Sequence, residues 1–429
     1  MAAPIVERFA RFRPIIKMTS TQVLNHRLVS PVKSAGFSAD STSVWTVHDD
    51  LIARRRDIYR GFEEAHLNPW RTPESSAYVS PEWRWEEARG RSILSACGRY
   101  YLAMLPAIDH PGVFSRVFDL RSHALLTVNY GPCWFVDASG VLLKSHNNTV
   151  ASGTDLARLE PSGLGHLYDF QKGYLYPLDF LPQGHAQLCL SPDLQHAASW
   201  KGWREHNVEV PHRANEVSVW DVADQRRVSR LEYSATQTPG GHQDAISEAV
   251  FLPGKSPRLL TASKQESWGV ANDNCNGLVW DFENGEPLFA LETDNRAALL
   301  PTVTPDGSRI LVVTERNTLR EPFVRCLDAT NGRELFCTES HDGGSLQSQE
   351  CGVDQIAVSP DSLYLASLCA RSGEVHITDL VRGCLTDTVV VDGIEQDVDD
   401  SGLIRFSPDS SKLLVSCRSD QISVFELEG

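Results

Sequence analysis

Short apolar runs, separated by Gly, Pro, Asp and Asn, follow one another along almost the whole chain. No long segment carries apolar residues at helical spacing, so the pattern predicts many short β-strands joined by turns. The runs recur in groups of four. The first ends in a Pro-Asp or Gly turn, the second follows at once, the third ends in an acidic residue, and the fourth comes after a tight polar turn.

The acidic residue that closes the third run measures the period of this repeat. Its successive positions lie between 47 and 62 residues apart. The eight positions are Asp57, Asp119, Asp169, Asp221, Asp281, Asp328, Asp379 and Glu426. A repeat of this length predicts a row of four-stranded units, each of which buries its apolar faces against its neighbours.

Two units carry more specific motifs. Each has a Trp-Asp pair (Trp220-Asp221 and Trp280-Asp281) and an upstream Gly-His pair that ends in His185 or His242. On these residues the chain resembles the WD40 repeat family from about residue 20 onward. The resemblance implies an all-β, single closed β-propeller of four-stranded blades. It also implies that the His, the Trp and a polar residue between them form a structural hydrogen-bond network. The assigned structural set is His185, Trp220, Asp221, His242, Trp280 and Asp281.

The two ends of the chain complement each other. The last unit has three runs, and residues 21–30 form an orphan run before the first unit, which spans 37–58. Because open sheet edges invite aggregation, we expect 21–30 to supply the missing outer strand and close the ring. That gives eight blades, or seven if the degenerate first unit forms none. The predicted organisation is an arm at 1–20 and a propeller at 21–429, with an inserted linker at 59–91.

Composition narrows the function classes. The formal charge is −16 and the pI is about 5.3, which disfavours general nucleic-acid binding because phosphates require a positive surface. We interpret Arg54-Arg55-Arg56 as an exposed strand with solvated charges; a phosphate site is the alternative. No apolar stretch reaches the roughly 18 residues of a membrane span.

The cysteines and the N-terminus bear on location. The ten cysteines include no CxxC and no zinc-like spacing, so we predict no metal site and no cofactor, and a reducing compartment. The expected location is cytoplasmic or nuclear. Mitochondrial import is the alternative, since residues 1–17 are basic and interleaved with Phe.

One side of the propeller is predicted to carry the function. The turns between the first and second strands, and between the third and fourth, are tight. The loops between the second and third strands of units two to six, and the crossings between units, hold nearly all the extra length. Insertions on one face commonly mark a binding face. The predicted partner-binding residues in these loops are Trp200, Trp203, Arg204, His206 and Trp268.

The preferred function is a non-catalytic scaffold or recognition module that binds a protein or peptide through that face, with assembly into a larger complex as one form of it. A propeller enzyme with an active site at the channel mouth is the first alternative. Its candidates by residue type are His48, His110, His146, His206 and Asp109, which form no recognisable motif. The second alternative is a substrate receptor of a ubiquitin ligase, because Phe118-Asp119-Leu120-Arg121 resembles the Trp-Asp-x-Arg motif of such receptors; turn capping is the competing interpretation of Asp119.

Overall fold

The computed structural model describes twenty segments of the chain. They are 21–27, 32–48, 50–69, 91–95, 97–106, 113–130, 133–135, 142–145, 164–169, 174–177, 187–200, 216–232, 246–263, 277–291, 299–315, 322–338, 353–370, 372–391, 402–417 and 421–427. All regular structure in these segments is β-strand. No helix within them has the length and apolar character needed to cross a bilayer.

The strands form eight four-stranded antiparallel sheets, numbered here in chain order from the first complete unit. Sheet 1 holds β2 (Val32–Phe37), β3 (Ser43–His48), β4 (Ala53–Asp57) and β5 (Glu63–Leu67). Sheet 2 holds β6 (Arg91–Leu94), β7 (Tyr100–Pro106), β8 (Val113–Asp119) and β9 (Ala124–Tyr130). Sheet 3 holds β10 (Cys133–Phe135), β11 (Leu142–Ser145), β12 (Leu164–Asp169) and β13 (Tyr174–Pro177). Sheet 4 holds β14 (Gln187–Leu190), β15 (His196–Trp200), β16 (Glu216–Asp221) and β17 (Arg226–Glu232).

Sheets 5 to 8 continue the same order. Sheet 5 holds β18 (Ile246–Phe251), β19 (Arg258–Ser263), β20 (Gly277–Asp281) and β21 (Glu286–Ala290). Sheet 6 holds β22 (Leu299–Val303), β23 (Arg309–Glu315), β24 (Pro322–Asp328) and β25 (Glu334–Cys337). Sheet 7 holds β26 (Gln355–Val358), β27 (Tyr364–Cys369), β28 (Glu374–Asp379) and β29 (Cys384–Val390). Sheet 8 holds β30 (Leu403–Phe406), β31 (Lys412–Ser416), β32 (Gln421–Glu426) and, as its outer strand, β1 (Thr21–Arg27).

The expected pairing of the two chain ends is present. β1 runs antiparallel to β32, with Thr21 opposite Glu426 and Arg27 opposite Gln421. The first unit also forms a complete sheet despite its weak repeat signature. Its fourth strand, β5, lies inside the segment predicted as a linker at 59–91, so the connection to sheet 2 begins after Leu67.

In each of the eight sheets the third strand ends on the acidic residue that the repeat predicted, from Asp57 of β4 to Glu426 of β32. In six sheets the pairing of the third and fourth strands shifts register between the two residues that precede this Asp. A bulge of this kind increases the local twist and redirects the side chains beside it.

The core lies between sheets. The second strands are almost wholly buried, as in β3 and β31, whereas the outer strands β21 and β29 are mostly exposed. A middle strand has a neighbouring sheet against each face, so an apolar run replaces the alternation of a half-buried strand. Buried clusters join sheet 1 to 2, 4 to 5, 5 to 6, 6 to 7, 7 to 8 and 8 to 1.

Candidate functional site

The Trp-Asp pairs have an internal role. The Trp280 indole donates its Nε1–H to the Thr261 hydroxyl at 2.8 Å, and Trp220 donates to Ser199 at 3.0 Å. Both indoles are buried. These bonds form the Trp part of the predicted structural network. Its two histidines, His185 and His242, lie outside the described residues.

The closing Asp caps the turn that follows it. The Asp281 carboxylate accepts the backbone N–H groups of Glu283 and Asn284, both at 3.1 Å. Equivalent bonds are made by Asp57, Asp119, Asp221, Asp328 and Asp379. Asp221 and Asp281 therefore act in turn formation, as Asx residues commonly do.

Asp119 of the motif that resembles Trp-Asp-x-Arg belongs to this capping set. Its carboxylate accepts the N–H groups of Arg121 at 2.8 Å and Ser122 at 3.1 Å, and it pairs with Arg99 at 3.3 Å. The capping interpretation of Asp119 is thus correct. The Arg121 side chain is exposed.

The turns between the first and second strands share a hydrogen-bond arrangement of their own. In five sheets a Ser or Thr hydroxyl donates to the Asp two residues later, at 2.5 to 2.6 Å, and accepts the N–H of the residue five positions later. The pairs are Ser38–Asp40, Ser191–Asp193, Thr304–Asp306, Ser359–Asp361 and Ser407–Asp409. The hydroxyls are buried, which makes these turns rigid.

Four of these turns are linked from sheet to sheet by three hydrogen bonds. The backbone N–H of Asp306 donates to Ser362 at 3.0 Å, that of Asp361 to Ser410 at 3.2 Å, and that of Asp409 to Ser41 at 3.4 Å. The acceptor serines all have a positive φ, between 58° and 63°. The links join sheets 6, 7, 8 and 1 on one face, called the tight-turn face below.

The opposite face, called the long-loop face, carries the connections between the second and third strands and between sheets. Every connection on the tight-turn face is four to six residues long, whereas connections on the long-loop face range from two residues to more than twenty. The predicted insertions of units two and six are shorter than expected, because β7 extends to Pro106 and β23 to Glu315. The predicted segregation of length between the two faces is present.

Trp200 requires a correction. It was predicted in the loop between the second and third strands of unit four, as a partner-binding residue. It is instead the last residue of β15, is 4% exposed, and packs in the cluster between sheets 4 and 5. The register of β15 places the Trp200 ring in that interface, away from solvent, so Trp200 is a core residue. Trp203, Arg204, His206 and Trp268 lie outside the described residues.

Arg54-Arg55-Arg56 lies on β4, and internal carboxylates neutralise it. Each arginine pairs with an acidic side chain of sheet 1. The closest pairs are Arg54–Asp50 at 2.5 Å, Arg55–Glu64 at 3.3 Å and Arg56–Glu63 at 3.5 Å. Burial acts to raise the pKa of Asp50, but hydrogen bonds from Arg54 and from the Ile52 N–H, together with the Arg54 charge, lower it. A strand paired in this way presents little positive charge to a phosphate. The prediction of an exposed strand with solvated charges is wrong, however, because β4 is only partly exposed and carboxylates of the same sheet pair with its arginines.

The described residues bring together no catalytic set. His48 is buried, and its Nε2 lies 3.0 Å from the Thr46 hydroxyl of the same strand. No three His, Cys, Asp or Glu side chains of the described segments approach one another closely enough to hold a metal ion. The other candidates by type, His110, His146, His206 and Asp109, lie outside those segments.

The most exposed aromatic side chains of the described part lie on the tight-turn face. Tyr59 is 58% and Phe62 is 51% exposed, in the turn that follows Asp57. Tyr59 donates its hydroxyl hydrogen to Glu426 at 3.1 Å, and Lys412 lies 5.9 Å from its ring. Neither residue was among those predicted for partner contact. The sequence carries no specific signal for their exposure, because the neighbouring Ile58 in the same capped turn is fully buried.

Comparisons with known proteins identify the fold. No protein-family model matches the sequence, and no curated protein matches it. The structure is similar to the crystal structure of the C-terminal WD40 domain of Sif2, with a TM-score of 0.58 and 14% identity over 96% of this chain and 99% of that one. It is also similar to the computationally designed Ika8 protein, with a TM-score of 0.57 and 14% identity over 94% and 98% of the two chains. At this identity the likeness establishes an all-β, WD40 propeller-like fold and transfers no partner or activity.

Proposed function

We propose that the chain is a non-catalytic recognition module that binds a protein or peptide partner through its long-loop face. One observation carries the proposal, namely the unequal division of connection length between the two faces. Loops held by a rigid scaffold commonly carry binding residues. A protein partner suits this fold, because long connections on one face of a rigid frame offer many residues for contact.

The chemistry of the tight-turn face supports the same choice. Its turn Ser, Thr and Asp side chains are held by internal hydrogen bonds in the hydroxyl–Asp turns and in capping, although exposed charged side chains such as Arg121 and Arg333 remain on this face. The residues proposed for partner contact are Trp203, Arg204, His206 and Trp268. Trp and Arg are the residue types that dominate interface energetics.

We further infer that the eight sheets are the blades of one closed ring, with β1 completing the last blade. Two observations support this arrangement. Buried clusters span six of the interfaces between sheets, and three hydrogen bonds join the tight turns of sheets 6, 7, 8 and 1 in series. β7 and β10 lie side by side between sheets 2 and 3. A cryo-electron microscopy map or crystal structure of the full chain tests it, and a gap between sheets 3 and 4 would refute closure.

The partner-binding proposal is tested with a tagged full chain and paired variants. Trp203→Ala with Arg204→Ala alters the long-loop face, and Tyr59→Ala with Phe62→Ala is the matched control on the tight-turn face. Proteins enriched by the wild type are identified by mass spectrometry, and the direct binder is then purified for titration. We expect the first variant to lose binding by at least tenfold with an unchanged thermal midpoint. Equal loss from both variants contradicts the choice of face.

The alternatives have separate tests. A ubiquitin-ligase receptor would need the exposed Arg121, so Arg121→Glu should abolish binding to a propeller-type ligase adaptor; unchanged binding removes that alternative. An enzyme would need a small-molecule pocket with convergent polar groups at the channel mouth. The proposed location is cytoplasmic or nuclear, and fluorescent fusions with and without residues 1–17 distinguish it from mitochondrial import.

A further inference from the structure

We propose that the inner ends of sheets 8 and 1 form a binding site for a small oxyanion, a carboxylate or a phosphate, held by Arg405. Arg405 lies on β30, the first strand of sheet 8, two residues before the Ser407 turn. The first strands of neighbouring sheets lie side by side, β30 next to both β26 and β2. Arg405 thus belongs to the innermost layer of strands, near the tight-turn face.

The guanidinium of Arg405 has a buried nitrogen with no hydrogen-bond partner. Nη1 is shielded from solvent and no donor–acceptor contact is made to it. Burial lowers the pKa of Arg405, but a guanidinium titrates so high that it stays charged at neutral pH. The Arg405 side chain as a whole is only partly buried, but a shielded N–H donor without an acceptor costs stability, so Nη1 calls for an explanation such as a bound ion.

Other arginines show how this protein treats the same group. Seven described arginines have a buried guanidinium nitrogen without a partner. In six of them another nitrogen of the same guanidinium is bonded or ion-paired. The six contacts are Arg55–Asp40, Arg56–Glu63, Arg116–Pro69, Arg230–Glu216, Arg258–Ala329 and Arg309–Ser308. Arg405 is the exception.

Among the residues that the structure describes, no acidic side chain forms an ion pair with Arg405, and its guanidinium packs beside the inner strand of sheet 1. Gly36 of β2 faces the guanidinium, and a Cβ at that position would lie 3.8 Å from Nη1. The residues two positions before the turn in the other described sheets are uncharged. They are Gly36, Ile93, Trp134, Cys189, Val250, Thr302 and Ala357 in sheets 1 to 7.

The chemistry of the group selects the class of ligand. A guanidinium presents parallel N–H donors in a plane, which match two oxygens of a carboxylate or a phosphate. Chloride cannot accept two such bonds in the same geometry. A small oxyanion bound to the guanidinium of Arg405 would therefore pair with its N–H donors and neutralise the charge.

The test uses the full chain and thermal unfolding. The midpoint is measured in sodium phosphate, sodium acetate and sodium chloride at equal ionic strength, and the binding constant of the better oxyanion is taken from calorimetry. We expect the wild-type midpoint to rise with phosphate or acetate concentration beyond the chloride curve, since a ligand that binds only the folded state stabilises it. Arg405→Met should have a higher midpoint than the wild type in chloride and no oxyanion response.

Two further variants make the outcome decisive. Arg309→Met removes a half-buried arginine elsewhere and should keep the wild-type response. Arg405→Lys keeps the charge but loses the paired donors, so it should raise the apparent dissociation constant at least fivefold. This variant replaces Arg405→Met in the test if Arg405→Met does not fold. The proposal is overturned if the wild type responds to oxyanions no more than to chloride, or if the Arg405 variant that folds responds as the wild type does.

Discussion

The indole of Trp280 donates to the hydroxyl of Thr261 at 2.8 Å, from the third strand of sheet 5 to the second. Both side chains are buried. The bond ties the residue before the closing Asp to the middle of the sheet, so one side chain couples the strand pairing to the turn cap. Trp220 and Ser199 repeat the arrangement in sheet 4.

Thr261→Val should destabilise the protein by about 1–3 kcal/mol, because it leaves the buried indole N–H without an acceptor at nearly unchanged volume. Chemical denaturation monitored by fluorescence measures the loss. Thr388→Val is the matched control on the exposed outer strand β29 and should change stability by less than about 0.5 kcal/mol. Similar losses from the two variants would contradict a special role for the bond.

Gly98 should tolerate no side chain. Its φ is +68°, and a Cβ there would lie 1.9 Å from the carbonyl oxygen of Phe37 in the neighbouring sheet. Gly98→Ala should therefore cost on the order of 3 kcal/mol or more, since backbone must move between two packed sheets. The thermal midpoint and the unfolding free energy measure it.

Gly254 provides the control for that substitution. Its φ is +129°, but a Cβ there would meet nothing within 4 Å. Gly254→Ala tests backbone strain alone and should cost about 1–2 kcal/mol. A loss from Gly254→Ala as large as that from Gly98→Ala would show that the approach of the two sheets does not determine the effect.

The repeat could be read from the sequence because its markers act locally. An Asp that caps a turn and a hydroxyl that pairs with the Asp two residues later leave a signal at fixed spacing, and all eight third strands end where that signal placed them. Trp200 was misplaced because strand length depends on pairing with β14 and β16, which the apolar pattern does not record. No sequence motif marks Arg405. That its Nη1 is buried without an acceptor becomes clear only from the packing of β30 beside β2.

Asp409 should make stability sensitive to acid. Burial acts to raise its pKa, but hydrogen bonds from Ser407 and Ser411 outweigh burial and lower the pKa to about 2. An unfolded Asp titrates near pH ~3.9. The carboxylate therefore contributes stability that is full above about pH 4 and is lost as the pH falls toward 2. Asp40, Asp193 and Asp306 have pKa values shifted in the same direction.

Asp409→Asn should lower the thermal midpoint at pH 6 and flatten its decline between pH 4 and pH 2. Thermal scans in a buffer series of constant ionic strength measure both effects. Asp224→Asn, which removes an exposed carboxylate paired with Arg226, should follow the wild-type curve in the acid range. An Asp409→Asn curve parallel to the wild type would mean that the turn carboxylate does not contribute to acid sensitivity.

Removal of β1 should affect both stability and assembly. β1 covers the edge of β32 along its whole length, from Thr21 opposite Glu426 to Arg27 opposite Gln421. Deletion of residues 1–27 would expose a row of unpaired backbone groups on β32, and such an edge pairs readily with other chains. We expect a lower thermal midpoint and a shift to larger species in size-exclusion chromatography. Deletion of 1–20 alone should leave both properties unchanged, because β1 is retained; a midpoint drop of equal size in both deletions would place the stabilising contacts before Thr21 and not in the pairing of β1 with β32.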